Sequence, residues 1–175
     1  MAKGTGRSDA LGAAIRMEEE GIRFYTKAAG QSRDPLGKKM FLSLVKDEER
    51  HAQIFREMAA REGVRPSRVG EMDKASPAAR VRSIFKGAAG KVKKALKADA
   101  GDVKVIDIAL RMEEKAYFHY SEAAKAMTDS REKRILQKIA EEENEHFRIL
   151  NDTRLYYTYP QMWHIIQERP VIDGG

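Results

Sequence analysis

The chain has 175 residues, 42% hydrophobic and 34% charged, enough to build one domain around a real core. It contains no cysteine, which excludes disulfides, thiolate-ligated zinc, iron–sulfur clusters and a thiol nucleophile. The net charge of +6 is local: residues 63–101 carry ten Lys/Arg against Glu71, Asp73 and Asp99, a net of +7, which leaves the rest at −1.

The opening residues, Met1 to Asp9, lack the apolar stretch of a secretory leader, and no run approaches the ~18 apolar residues of a membrane span. A cytoplasmic protein is expected. Leu11, Ile15, Ile22 and Tyr25 recur at helical spacing and predict a helix over 9–30. Asp34-Pro35 reads as a cap followed by a first-turn proline, and Phe41, Leu44, Val45, Ile54, Phe55 and Met58 carry a second helix over 35–61. Residues 62–101 form a basic crossover. Within it Phe85, Ala88, Val92 and Leu96 make an apolar stripe among lysines, read as a short helix packed on the bundle in preference to a surface for nucleic acid or anionic lipid. Two further helices are expected over 102–128 and 130–152, the last capped by Asp129 or Ser130. Tyr156, Tyr157, Tyr159 and Trp163 mark an aromatic tail over 153–175 that caps the bundle or a partner subunit. No segment alternates as a strand does. The expected fold is all-α: one domain, 1–175, made of helical hairpins 9–61 and 102–152.

The hairpins repeat each other. Ala14-Ile15-Arg16-Met17-Glu18-Glu19 matches Ala109-Leu110-Arg111-Met112-Glu113-Glu114, and Glu48, His51, Tyr25 and Asp34 match Glu143, His146, Tyr120 and Asp129. Every pair is separated by 95 residues, as in an internal duplication. Glu18 and Glu48 lie equidistant from residue 33, in the first turn, and Glu113 and Glu143 from residue 128, in the second. In an antiparallel hairpin such residues share one height, because each helical residue rises about 1.5 Å. His51 and His146 stand three residues beyond their glutamates, on the same face.

These glutamates sit on apolar stripes, Glu18 among Ala14, Ile15, Ile22 and Tyr25, and Glu48 among Leu44, Val45 and Phe55. Taking each carboxylate out of water costs several kcal/mol unless something compensates. Two divalent cations would cancel the charge of Glu18, Glu48, Glu113 and Glu143 with His51 and His146 neutral, so the six are candidate metal ligands. Glu19, Glu49, Glu114, Glu142 and Glu145 are read as a solvated face, with Lys46, Arg50 and Arg111 placed to pair with them. Tyr25 and Tyr120 are either core aromatics or hydroxyl donors to the ligand carboxylates. His119 points away from the stripe, and His164 is read as structural.

One glutamate from each of two helices plus Glu-x-x-His from each of two others resembles the di-iron carboxylate set of ferritin-like bundles. Ala14-Ile15-Arg16-Met17-Glu18, Phe24-Tyr25 and Asp47-Glu48-Glu49-Arg50-His51 resemble the rubrerythrin family in particular, as does the tail with Pro160, Trp163, Glu168 and Asp173-Gly174. Two departures stand out. There is no cysteine for a rubredoxin module, and Ala116 takes the place where rubrerythrins carry a further glutamate, its counterpart being Gly21. The six-residue set is therefore nearer to a bacterioferritin-type site.

The resemblance implies a ferritin-like four-helix bundle with a long second-to-third crossover and two iron ions, for which zinc or manganese could substitute. It implies a non-haem di-iron oxidoreductase that reduces peroxide or reacts with dioxygen, with electrons from a separate donor protein. Two alternatives stand beside it: a ferroxidase or iron-handling protein, and a metal-stabilised binding module whose basic crossover holds nucleic acid. The duplication implies a two-fold axis, antiparallel first and third helices, and a crossover spanning about 36 Å of bundle. Such a connection can return to its own bundle or reach a neighbouring chain, so a homodimer or larger homo-oligomer is expected.

Overall fold

The computed structural model describes residues 5–60 and 100–167. They form five helices: α1, Thr5–Gln31; α2, Pro35–Ala60; α3, Ala100–Ala126; α4, Ser130–Thr158; and α5, Pro160–Gln167. The basic crossover, with its stripe near 84–97, and the chain end with Glu168 and Asp173-Gly174 lie outside the described residues. The bundle is all-α, as expected, and among the described residues no helix is long and apolar enough to cross a membrane.

Helices α1 and α2 pair closely as one hairpin, α3 and α4 as the other; α1 faces α3 and α2 faces α4. Directions follow from side-chain partners. Tyr25 meets Glu113 while Tyr120 meets Glu18, so α1 and α3 run antiparallel. His51 meets Glu142 while His146 lies near Asp47, so α2 and α4 do too. The end of α2 and the start of α3 therefore lie at opposite ends of the bundle. Both hairpins meet in this bundle and contribute to one shared centre.

The core has two layers, and the duplication relates them. One contains Tyr25, Ala29, Met40, Phe41, Leu44, Ile106, Ala109 and Leu150. The other contains Tyr120, Ala124, Ile135, Leu136, Ile139, Leu11, Ala14 and Phe55, which are the same positions displaced by 95 residues, in one direction or the other. Each layer thus draws on both hairpins, and neither hairpin closes a core alone. The charged centre lies between the layers.

Helix α4 runs on to Thr158 instead of stopping near 152, because Ile149, Thr153 and Tyr156 continue its buried stripe at helical spacing. This extension carries Tyr157 to the first turn. Its hydroxyl donates to Asp34 Oδ2 at 2.5 Å, while Asp34 caps α2 by accepting from the Leu36 and Gly37 amides. Trp163 of α5 packs edge-on against Tyr156. The aromatic segment therefore caps its own bundle through α4. The equivalent turn at Asp129 caps α4 through the Arg131 and Glu132 amides, and there Glu132 stands in the place of Gly37.

Gly37 is required by this contact, because a Cβ on it would collide with the Tyr157 hydroxyl. Alanine in a helix normally stabilises by about 0.5–1 kcal/mol relative to glycine. Here the sign should reverse: Gly37→Ala is expected to destabilise by about 1–2 kcal/mol, and Tyr157→Phe by about 1 kcal/mol, through loss of the Asp34 bond. Urea unfolding would check this; a more stable Gly37→Ala protein would contradict the tie.

Candidate metal centre

Each helix of the four-helix core contributes to one buried cluster: Glu18 from α1, Glu48 and His51 from α2, Glu113 from α3, and Glu143 and His146 from α4. None is more than 4% exposed, and both imidazoles are fully enclosed. The six fall into two overlapping groups, Glu18–Glu48–His51–Glu143 and Glu48–Glu113–Glu143–His146. In each group one oxygen or nitrogen per residue lies within 4.8 Å of every other. Glu48 and Glu143 belong to both. The arrangement suits two cations: Glu18, Glu48, His51 and Glu143 would hold one, and Glu48, Glu113, Glu143 and His146 the other.

Both imidazoles turn Nδ1 inward. His51 Nδ1 lies 2.9 Å from Glu143 Oε1 and 3.5 Å from Glu18 Oε2. His146 Nδ1 lies 3.2 Å from Glu143 Oε2, 3.4 Å from Glu48 Oε1 and 3.6 Å from Glu113 Oε2. Despite these approaches, several inward atoms, including Glu18 Oε2, Glu48 Oε1, His51 Nδ1 and Glu143 Oε1, form no well-directed hydrogen bond. Orphaned polar atoms in a dry centre are costly, and a cation would satisfy them together.

The tyrosines sit one layer out and cross between hairpins. Tyr25 of α1 donates to Glu113 of α3, and Tyr120 of α3 donates to Glu18 of α1. Both tyrosines are buried in the core, and each hydroxyl donates to a carboxylate of the cluster. Burial, with the surrounding glutamates, pushes both phenols well above their usual range, so they remain donors.

One expectation fails. Glu142 does not belong to the solvated face: it is buried, and its Oε2 lies 2.9 Å from His51 Nε2. Its duplicate Asp47, which the sequence reading did not single out, is also buried, with Oδ2 3.6 Å from His146 Nε2. The helix turns residues 47 and 142 far enough from 48 and 143 to pass behind the opposite histidine. Such outer carboxylates fix imidazole orientation and raise ligand basicity. The available signal was the 95-residue offset, which relates Asp47 to Glu142 as it relates the six. Glu49 and Glu114 are exposed, as expected.

The charges in the centre set one another's protonation. Burial, then repulsion from Glu143 and Glu18, raises Glu48 well above the carboxylate range. Burial dominates at Glu113 and outweighs the His146 charge, lifting it to about 8. Glu143 is the exception: burial opposes its ionisation, but it lies between both imidazoles, and their charges and hydrogen bonds hold it low. Burial works against protonated histidines too, yet the carboxylates overcome it and raise His51 and His146. Without metal the centre thus holds protons at neutral pH on Glu48, Glu113 and the histidines. A cation must displace them, so binding should release protons and tighten as pH rises toward and through about 8, where Glu113 gives up its own. Zinc titrations in buffers of different ionisation enthalpy measure this directly; uptake without proton release would contradict the assignment.

Between α1 and α3 a cleft of about 70 Å³ reaches the cluster, lined by Met17, Gly21, Met112 and Ala116 above the glutamate carboxylates. Gly21 is closely used: a Cβ there would come within 3.0 Å of Glu48 Oε2. Gly21 and Ala116, with their small side chains, leave this space open.

Comparison with known proteins agrees with this geometry. No curated protein matches the chain. A solved structure from Thermotoga maritima, described as a ferritin-like diiron-carboxylate protein, is 28% identical and superposes with a TM-score of 0.59, covering 88% of this chain and 95% of that one. The rubrerythrin family model matches residues 9–153, a span that takes in both hairpins and all six clustered residues. The chain belongs to the rubrerythrin family.

Proposed function

We propose that this protein is a non-haem di-iron oxidoreductase that reduces peroxide with electrons from a separate donor protein. The observation that carries the proposal is the closed set of six buried ligands, two of them shared, beneath a cleft only about 70 Å³ in size. Glu18, Glu48, His51, Glu113, Glu143 and His146 are the proposed iron ligands. Two adjacent iron ions would supply one electron each, the two needed to reduce a peroxide to water.

The protein's own part is retention and access. Each carboxylate that belongs to one position is held by a tyrosine of the opposite hairpin, and His51 is backed by Glu142. So firm a setting favours metals that stay and cycle over metals in transit. The cleft admits a molecule of a few heavy atoms, as peroxide is, and Met17, Gly21, Met112 and Ala116 narrow the approach. Reduction of one peroxide by two electrons takes up two protons and yields two waters. Those protons must come from outside the cluster, through the cleft, because the ligand carboxylates give up their own to the metals. These 175 residues hold no cysteine for a rubredoxin-type centre, and we assign the donor role to a separate protein.

Iron-loaded protein supplied with a reductant should consume many equivalents of peroxide. Glu143→Ala should abolish turnover while circular dichroism shows the helices retained, and Glu49→Ala should be nearly silent because Glu49 is exposed. Peroxide consumption that stops when added Fe²⁺ is exhausted, whatever the reductant, would overturn the proposal in favour of an iron oxidase.

A further inference from the structure

The duplication breaks in charge at Arg50, beside the cluster. Asp47 and Glu142 are equivalent, and each approaches the histidine of the other hairpin. Three residues on, Arg50 stands in the first half where the second has Glu145. Arg50 Nη2 lies 2.5 Å from Glu142 Oε2 and 3.0 Å from Asp47 Oδ1. A single guanidinium nitrogen therefore joins the two carboxylates that stand behind the two histidines, and it does so from the α2 side only.

The two histidines are served unequally. Glu142 Oε2, the oxygen that Arg50 holds, is also the one 2.9 Å from His51 Nε2. Asp47 Oδ1 accepts from Arg50, and its Oδ2 lies 3.6 Å from His146 Nε2, a longer and weaker contact than that of Glu142 with His51. A carboxylate bonded to the outer nitrogen of a ligand imidazole fixes the ring and strengthens the inner nitrogen as a ligand. Arg50 fixes that carboxylate in turn. Its positive charge does not oppose metal binding, since two carboxylates enclose one guanidinium and the trio is net negative.

Resting on the di-metal reading above, we propose that Arg50 is a positioning residue that makes the two metal positions unequal. By clamping Glu142 against His51, it makes the position of Glu18 and His51 the tighter one, filled before that of Glu113 and His146. The six ligands themselves repeat with the duplication, and the clamp does not. A two-fold pair of sites is thereby given a first and a second.

The test is titration of the metal-free full-length protein with Co²⁺, followed by its visible absorption. Two resolved steps are expected, and His51→Ala should remove the tighter while His146→Ala removes the weaker. Arg50→Gln should weaken the tighter step about tenfold to a hundredfold, the usual cost of losing an outer partner of a ligand histidine, and leave the weaker step nearly unchanged. In a double-mutant cycle, Arg50→Gln should therefore weaken the binding left in His146→Ala but not that left in His51→Ala. Arg50→Lys keeps the charge but cannot span both carboxylates in the same way, so it should give a partial loss; it also serves if the glutamine variant melts early without metal. Equal loss at both steps, or no loss in either Arg50 variant while two ions still bind, would overturn the proposal and leave the di-metal reading standing. Failure of the unaltered protein to bind two Co²⁺ would instead overturn that reading.

Discussion

Four glutamate side chains converge in the middle of an apolar bundle, and their mutual repulsion is the constraint on which the rest of the structure depends. Unpaired carboxylates in such a place cost several kcal/mol each, comparable with the whole stability of a domain. The fold meets this cost with every cation and donor in reach. His51 and His146 turn Nδ1 toward the cluster, Tyr25 and Tyr120 each give a hydroxyl, and protons occupy Glu48 and Glu113. That solution leaves several buried oxygens and nitrogens without a well-directed hydrogen bond. Two divalent cations would satisfy the same atoms and cancel the four charges, which is why the centre reads as a metal site and not as a structural ion-pair network.

The duplication determines how those groups are supplied. Each hairpin orients residues of the other: Tyr25 acts on Glu113, Tyr120 on Glu18, and Glu142 on His51. The core layers follow the same rule, since each combines residues of one hairpin with the displaced equivalents from the other. Neither half can complete a core or a ligand position alone, so folding and site assembly are one event. Departures from symmetry then mark particular tasks. The Tyr157–Asp34 bond secures the first turn and has no counterpart at the second among the described residues, and Arg50 joins the outer carboxylates from one side.

The four clustered glutamates were legible in the sequence from equal distance to a turn and the offset of 95 residues, and His51 and His146 from the same offset and their spacing three residues beyond Glu48 and Glu143. Asp47 and Glu142 satisfied only the offset and were lost among neighbouring charges. A helix of about 3.6 residues per turn places adjacent glutamates about 100° apart, and whether the outer one meets water depends on a helix from the other hairpin. The Tyr157–Asp34 contact was not legible for a similar reason: it joins residues 123 apart, and it exists because α4 runs one and a half turns beyond its predicted end. Local pattern reports which face of a helix is buried; it does not report which partner that face receives.

The most direct test of the account is anomalous diffraction from crystals of the iron-loaded protein, measured at the iron edge. Two peaks are predicted inside one bundle, about 3.5–4 Å apart. Both should contact Glu48 and Glu143, one with Glu18 and His51 and the other with Glu113 and His146. A single peak, or density on exposed glutamates with the buried six left in hydrogen bonds to one another, would contradict it.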